Sequence, residues 1–212
     1  MKMNRRNLLA GIGSMGTGIV LSGCSGANRL TRAPRLDEEA MGGEVTATED
    51  LMREHGVLRR ALFVYSEAAT KLRSNPSDVA PDALQKTAKL FRVFGEDYHE
   101  KKLEETYIFP AVKKAGSQTV GLPDILIAQH QRGQEITDYI LTVTKEAKLA
   151  VGNAEPLARA MESLVRMYRP HAAREDTIVF PAWKQTLTAQ QLDEMSEKFE
   201  EIEHQQFGED GF

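Results

Sequence analysis

Residues 98–112 read YHEKKLEETYIFPAV, and residues 170–183 read PHAAREDTIVFPAW. The two stretches align on their Phe-Pro-Ala endings, and counting back from each proline pairs Glu104 with Glu175. Neither stretch shows the strict alternation of apolar and polar residues that is typical of a half-buried strand. The repeated phrase therefore predicts two helices with equivalent roles, and the rest of the chain is interpreted around them.

The spacing of acidic and imidazole side chains differs between the two copies. His171 and Glu175 are four residues apart, so both side chains project from one face of an α-helix. His99 and Glu104 are five apart, and on a helix of 3.6 residues per turn they would diverge by roughly 140°. Either a π-bulge realigns this pair, or Glu100 replaces the histidine as a ligand. Single-turn π-bulges occur at functional sites, so we favour the bulge, with Glu100 as an additional ligand.

Helical signals continue through the chain from about residue 46. Capping boxes, prolines and glycines place the helix starts at residues 46, 81, 121, 156 and 188. The first helix is expected to end near residues 74–76, the second near residue 115, the third at Gly152 and the fifth near residue 206. Short connections between four long helices favour an all-α, up-down-up-down four-helix bundle with a short fifth C-terminal helix.

Each of the first four helices carries a histidine on its apolar stripe. A buried charge costs several kcal/mol unless it is paired or bound to a metal. Four core-facing imidazoles and two repeated carboxylates therefore predict a metal site with the ligands His55, His99, Glu100, Glu104, His130, His171 and Glu175. No catalytic acid, base or nucleophile stands out apart from these ligands, so the sequence leaves turnover of a substrate open.

On these residues the chain resembles the hemerythrin-like (HHE) cation-binding family over roughly residues 48–183. The family pattern is a lone His, a His and Glu followed by Phe-Pro, a second lone His, and His-xxx-Glu followed by Phe-Pro. The resemblance implies two non-haem iron ions bridged by the carboxylates, and oxygen, peroxide or nitric oxide as the small ligand. Imidazole and carboxylate without thiolate also suit manganese or zinc, which we rank below iron. Gln134 stands where oxygen carriers of the family have a further histidine, which argues against simple oxygen carriage.

Several polar residues near these positions have two interpretations each. Glu105 and Asp176 belong either to a solvated face or to the hydrogen-bond partners of the histidine N–H groups. His204 either caps the site from the last helix or, as we favour, lies on the surface. Three tyrosines are further candidates for positions near the metals: Tyr107, Tyr139 and Tyr168.

The first residues, MKMNRRNLLAGIGSMGTGIVLSGC, have a basic start followed by an apolar stretch and small residues. The pair Arg5-Arg6 resembles a twin-arginine export signal. Residues 21–24 resemble the bacterial lipoprotein cleavage box, in which Cys24 becomes the lipidated N-terminus. We therefore expect a protein of the bacterial cell envelope that faces the periplasm and is tethered to the membrane by a lipid on Cys24. Ser25 favours the outer membrane if the cell is Gram-negative.

The chain is accordingly expected to divide into a signal peptide (1–23), a flexible linker (24–45), a helical bundle (46–206) and a tail (207–212). The net charge of −4 becomes −7 once the three basic residues of the signal are removed, which argues against a nucleic-acid partner. Cys24 is the one cysteine of the sequence, so an intrachain disulfide and a cysteine-based zinc site are excluded.

Two functions from other classes compete with an HHE-type di-iron protein. A ferritin-like di-metal redox enzyme would use Glu-x-x-His pairs, and Glu96 with His99 and Glu201 with His204 fit that spacing. A metal-free helical interaction module would use the histidines only for packing.

Overall fold

The computed structural model describes residues 45–116, 119–209 and 211. The expected signal peptide, the lipidation at Cys24 and the linker up to residue 44 lie outside these residues. Within them, every regular element is a helix, which agrees with an all-helical bundle.

Five helices follow one another along the described chain. Helix α1 is Ala47–Ser74, α3 is Leu122–Val143 and α5 is Ala189–Phe207. Helix α2 covers residues 81–115 as three consecutive segments, which are α-helical Pro81–Leu90, π-helical Phe91–Ile108 and α-helical Phe109–Ala115. Helix α4 covers residues 154–184 in the same manner, with α-helical Ala154–Arg174, π-helical Glu175–Val179 and α-helical Phe180–Lys184. Short 3₁₀ turns at Pro76–Asp78 and Val151–Asn153 precede α2 and α4.

Local capping chemistry explains where the helices begin and end. The predicted capping boxes at Thr46 and Thr188 are confirmed, since each threonine hydroxyl accepts from the backbone N–H three residues later. Gly116 ends α2 with a φ of +66°, a conformation that glycine adopts without steric cost. The expected end of α3 at Gly152 is wrong, because this helix stops at Val143. At this end Thr144 donates both its N–H, at 3.0 Å, and its hydroxyl, at 2.6 Å, to the carbonyl of Ile140.

The core lies between α1, α2, α3 and α4, with α5 packed on α1 and α2. The buried stripe of α1 illustrates how the site is held: Leu51, Leu58, Leu62 and Tyr65 are almost fully buried, and His55 lies among them. Each such apolar side chain contributes about 1.5–3 kcal/mol on burial. The histidine is therefore fixed by hydrophobic packing on both sides of it along the helix.

None of the helices in the described ranges combines the length and the apolar character that are needed to cross a bilayer.

Candidate metal centre

The two π-helical segments lie where the repeated phrase lies. The N–H of Phe109 donates to the carbonyl of Glu104, and the N–H of Phe180 donates to that of Glu175, both over five residues. The predicted π-bulge in α2 is therefore confirmed, although it extends over 18 residues rather than a single turn. The π segment of α4 was not expected, because the four-residue spacing of its ligands requires none. In both helices a proline follows the phenylalanine and has no N–H with which to continue the α pattern.

The four predicted histidines converge at the centre of the bundle and are fully buried. They form two pairs, in which the Nε2 atoms face each other. The Nε2 atoms of His55 and His99 are 3.0 Å apart, and those of His130 and His171 are 3.2 Å apart.

The carboxylates of Glu104 and Glu175 span the two histidine pairs. Oε1 of Glu104 lies 3.4 Å from Nε2 of His99, and its Oε2 lies 3.3 Å from Nε2 of His130. Oε2 of Glu175 lies 3.4 Å from Nε2 of His55, and its Oε1 lies 3.1 Å from Nε2 of His171. Each carboxylate thus presents one oxygen to each pair, as a bridge between two ions would.

The Nδ1 atoms of all four rings point outward to oxygen acceptors. His55 donates to Asp176 at 2.7 Å, and His99 donates to Glu54 at 2.5 Å. The other two bonds are from His130 to Glu105 at 3.0 Å and from His171 to the amide oxygen of Gln129 at 2.9 Å. Since these acceptors fix the ring proton on Nδ1, each neutral imidazole turns the lone pair of Nε2 towards the centre.

This donor set fits metal ions. Both carboxylate oxygens of Glu104 and both of Glu175 are buried without a hydrogen-bond partner, an arrangement that is costly for charged groups unless a cation or proton compensates it. Two compact groups of ligand atoms are present: Glu104, His130, His171 and Glu175, and His55, His99 and Glu104. Imidazole nitrogen with carboxylate oxygen is a donor set that suits iron, manganese or zinc.

The electrostatics of the metal-free chain show how strongly the centre attracts positive charge. Burial alone would lower the pKa of His99, but the charge of Glu104, whose Oε1 lies 3.4 Å from Nε2, and the hydrogen bond to Glu54 raise it well above its ordinary value. Burial alone would raise the pKa of Glu175, but the charge of His171 and the nearby Nε2 atoms of His130, His171 and His55, which lie 3.1–3.8 Å from its oxygens, hold it well below the ordinary value. Protons and metal ions therefore compete for the same positions.

Glu100, the seventh predicted ligand, is buried beside the centre but outside the two compact groups. Its Oε2 has no hydrogen-bond partner, and its charge acts on His130 and on Tyr168. Glu100 is thus associated with the pair formed by His130 and His171.

Other candidate residues lie elsewhere. His204 is exposed on α5, and Tyr107 and Tyr139 are half-buried outside the two groups of ligand atoms. Glu96, which the ferritin-like spacing pairs with His99, instead accepts from Thr137 at 2.6 Å and pairs with Arg92 at 3.1 Å. Gln134 is half-buried and belongs to neither group. The sequence pattern of a ferritin-like site is therefore not assembled.

Two residues of the centre, Glu54 and Gln129, were not predicted from the sequence. Each directly precedes a lone histidine, His55 or His130, and accepts from the histidine of the following helix. The predicted partner roles of Glu105 and Asp176 are confirmed, since Glu105 accepts from His130 and Asp176 accepts from His55, and these residues directly follow Glu104 and Glu175. The hydrogen-bonding arrangement between α1 and α2 is thus repeated between α3 and α4. The sequence signal for it is the acidic or amide residue that directly precedes each lone histidine.

The phenylalanines of the repeated phrase also take part in this repeat. The Phe180 ring stacks on His55 with centroids 5.5 Å apart, and the Phe109 ring stacks on His130 at 5.6 Å. Each lone histidine is therefore clamped between an acidic partner and an aromatic ring of the opposite helix pair.

Comparison with known proteins agrees with this geometry. A family model described as the hemerythrin HHE cation binding domain matches residues 46–183. Uncharacterized proteins of Mycobacterium bovis and Mycobacterium tuberculosis are 43% identical over 214 residues, which cover 99% of this chain and 82% of each relative. No solved structure matches the chain.

Proposed function

The chain belongs to the hemerythrin HHE cation-binding domain family, and from that premise we propose that it binds two non-haem iron ions between its histidine pairs. The observation that carries the proposal is the set of four buried carboxylate oxygens of Glu104 and Glu175, which have no hydrogen-bond partner and face imidazole lone pairs. In a metal-free interaction module, only protons could compensate the negative charge of these buried oxygens.

One ion is assigned to His55 and His99, and the other to His130 and His171, with Glu104 and Glu175 shared. Glu100 is assigned as an additional ligand of the ion at His130 and His171. On this side the family's oxygen carriers have a further histidine, where this chain has Gln134. Support for this assignment comes from the effect of the Glu100 charge on His130. The up-down-up-down order of α1 to α4 belongs to the same proposal and is supported by the short connections between these helices.

Bridging by two carboxylates favours iron or manganese over zinc, and the family favours iron. When bound in the reduced state, such a pair of ions supplies a binding position for oxygen, peroxide or nitric oxide. The chain's own residues orient the ligands: the Nδ1 acceptors fix the tautomer of each imidazole, and Phe109 and Phe180 limit the rotation of the rings on which they stack. We therefore propose a protein that binds or senses oxygen, or scavenges oxygen-derived oxidants or nitric oxide.

The cellular location is a separate part of the proposal. The twin-arginine-like pair, the lipoprotein-like box and Cys24 support export to the bacterial cell envelope and a lipid tether. Export in the folded state is consistent with the loading of metal before translocation. Radiolabelled fatty acid that is incorporated into the wild type and not into Cys24→Ala would support the tether, and equal labelling of the two would overturn it.

The metal proposal is tested with Glu104→Ala/Glu175→Ala and a matched control, Glu67→Ala/Glu135→Ala, whose carboxylates are exposed. Metal analysis and optical spectra are measured on aerobically purified proteins. We expect two irons per chain with charge-transfer bands in the wild type and the control, and loss of both in the bridging variant. One zinc per chain, or unchanged iron in the bridging variant, would overturn the proposal.

A further inference from the structure

The outward sides of α1 and α4 carry a group of arginines around one exposed aromatic ring. Phe63 on α1 is 63% exposed, and the guanidinium of Arg169 on α4 lies over its ring, 5.9 Å from the centroid. Residues three or four apart share one side of a helix, so Arg59 and Arg60 lie on the side of Phe63, and Arg166 lies on the side of Arg169. These five residues are called the arginine face.

The arginine face has an excess of positive charge. Arg60 and Arg169 are exposed and form no ion pair within the described part of the chain. The other two arginines have acidic neighbours on α4, which are Asp176 for Arg59 and, at 3.9 Å, Glu162 for Arg166. One turn further along α1, the exposed Glu67 offsets one of the positive charges.

The rest of the bundle has the opposite charge. Helices α1 and α4 together carry ten basic and eight acidic residues, and two of the acidic residues, Glu54 and Glu175, are buried at the metal centre. The remaining positions between residues 45 and 212 carry eleven basic and nineteen acidic residues. Positive charge is thus concentrated on one side of an acidic domain, and such an asymmetry orients a molecule towards a surface of opposite sign.

An apolar ring among arginines matches the chemistry of an anionic membrane surface. The guanidinium group fits phosphate oxygens in a bidentate manner, and an aromatic side chain fits the boundary between headgroups and acyl chains. An acidic protein or a nucleic acid would also attract the arginines. The acidic remainder of the bundle would repel such a partner wherever it extends beyond the arginine face, whereas a flat membrane meets one side of the molecule only.

We propose that the arginine face docks on an anionic phospholipid surface, with the arginines on lipid phosphates and Phe63 between the headgroups. The inference goes beyond the proposed metal binding and does not require a bound ion. If the proposed lipid on Cys24 holds the chain at a membrane, a weak affinity of this face is sufficient, because a tether raises the local concentration of its binding partner.

The test uses residues 24–212 with Cys24→Ala, which retain all five helices without the signal or a lipid. Binding is measured by co-sedimentation with vesicles of equal parts phosphatidylglycerol and phosphatidylcholine, and with vesicles of phosphatidylcholine alone. We expect this parent chain to bind only the anionic vesicles, and to bind them more weakly as the salt concentration rises.

Arg60→Gln/Arg169→Gln is expected to bind the anionic vesicles roughly 25-fold more weakly, because each basic residue near such a surface contributes about fivefold. Lys89→Gln/Arg132→Gln is the matched control, since it removes the same charge from exposed positions on α2 and α3, and is expected to bind as the parent chain does. Glu67→Gln is expected to bind about fivefold more tightly. Phe63→Ala is expected to weaken binding without a change in charge.

Equal weakening in the two double variants would show an effect of net charge alone and would overturn the inference. A parent chain that binds neither kind of vesicle, or binds both kinds equally, would also overturn it. The metal proposal is measured by iron content in separate variants, so a failure of docking is distinguishable from a failure of metal binding.

Discussion

The Nε2 atoms of His55 and His99 lie 3.0 Å apart although each ring carries its proton on Nδ1, where a carboxylate accepts it. Two lone pairs at that distance repel each other unless a cation or a proton lies between them. The separation is that of neighbouring donors on one ion with metal–nitrogen bonds of about 2.1 Å. A cation held by both Nε2 atoms would account for their short separation, and the carboxylate acceptors account for the proton on each Nδ1.

The outer acceptors are expected to control metal affinity without contacting the metal. Glu54→Gln weakens the bond to Nδ1 of His99 and is expected to lower iron affinity by roughly 10–100-fold, as is typical of such partners. Competition with a chelator measures the affinity, and circular dichroism checks the fold. Glu67→Gln, an exposed change on the same helix, is the control. Wild-type affinity in Glu54→Gln would contradict the assignment.

The stabilisation by metal is expected to depend on pH in a defined direction. In the metal-free chain the pKa values of His99 and His130 are raised, so their contribution to stability is full below 6.5 and is lost as pH rises through the folded values. The pKa of Glu175 is lowered, so its contribution is present above 4.5 and is lost as pH falls through the folded value.

These three groups together stabilise the metal-free protein most between pH 4.5 and 6.5, and we expect metal to replace protons above that window. We expect the difference in Tm between iron-loaded and metal-free protein to be small within the window and to grow towards alkaline pH. Scanning calorimetry of both forms at several pH values measures it. A difference that shrinks as pH rises would contradict competition between protons and metal.

Glu96, a buried carboxyl that is not itself a predicted ligand, offers a second test of the electrostatics. Burial raises its pKa to about 7, so the folded chain holds this proton more tightly than the unfolded chain, and stability falls as pH rises from 4.5 to about 7. A tenfold difference in proton affinity corresponds to about 1.4 kcal/mol, so the loss is expected to be about 3 kcal/mol at most. Glu96→Gln keeps a partner for Thr137 and removes this loss. Denaturant unfolding of the metal-free variant and of the metal-free wild type at pH 5 and 8 measures the free energy of unfolding of each. The same change in free energy between the two pH values in both proteins would rule out a contribution of Glu96.

The phenylalanine that stacks on His55 is expected to matter for both stability and ligand order. Phe180→Ala removes a fully buried ring and is expected to lower the free energy of unfolding by about 3–5 kcal/mol. Phe63→Ala, whose ring is 63% exposed, is the control and is expected to change it by about 0.5 kcal/mol. Urea unfolding of both metal-free variants provides the measurement. Equal effects of the two substitutions would show that the stacked ring does not support the core.

Much of the fold was visible in the sequence because helix signals are local. The capping boxes at Thr46 and Thr188 and the five-residue spacing from His99 to Glu104 correctly predicted helix starts and a π-helical departure. The end of α3 was not predictable in this way, because no proline or glycine follows Val143 directly, and Thr144 at the helix end donates its hydroxyl to Gln85 on another helix at 2.6 Å.

The site was predictable to the same extent and for the same reason. Histidine and glutamate positions follow from the periodicity within one helix, and the repeated phrase pairs Glu104 with Glu175. The roles of Glu54 and Gln129 depend instead on how neighbouring helices align, since each accepts from a histidine on the next helix. The π segment of α4 left no trace in ligand spacing, because it begins only at Glu175.

The exchange of partners between the two helix pairs affects the order in which the molecule assembles. Glu105 on α2 accepts from His130 on α3, and Asp176 on α4 accepts from His55 on α1. Neither helix pair supplies the Nδ1 acceptors of all its own histidines. A folding intermediate in which only one pair is docked would therefore hold imidazoles that are not oriented, and would bind metal weakly. We therefore expect high-affinity metal binding to be a late event of folding, so that a bound metal ion would mark a chain that has completed its tertiary structure.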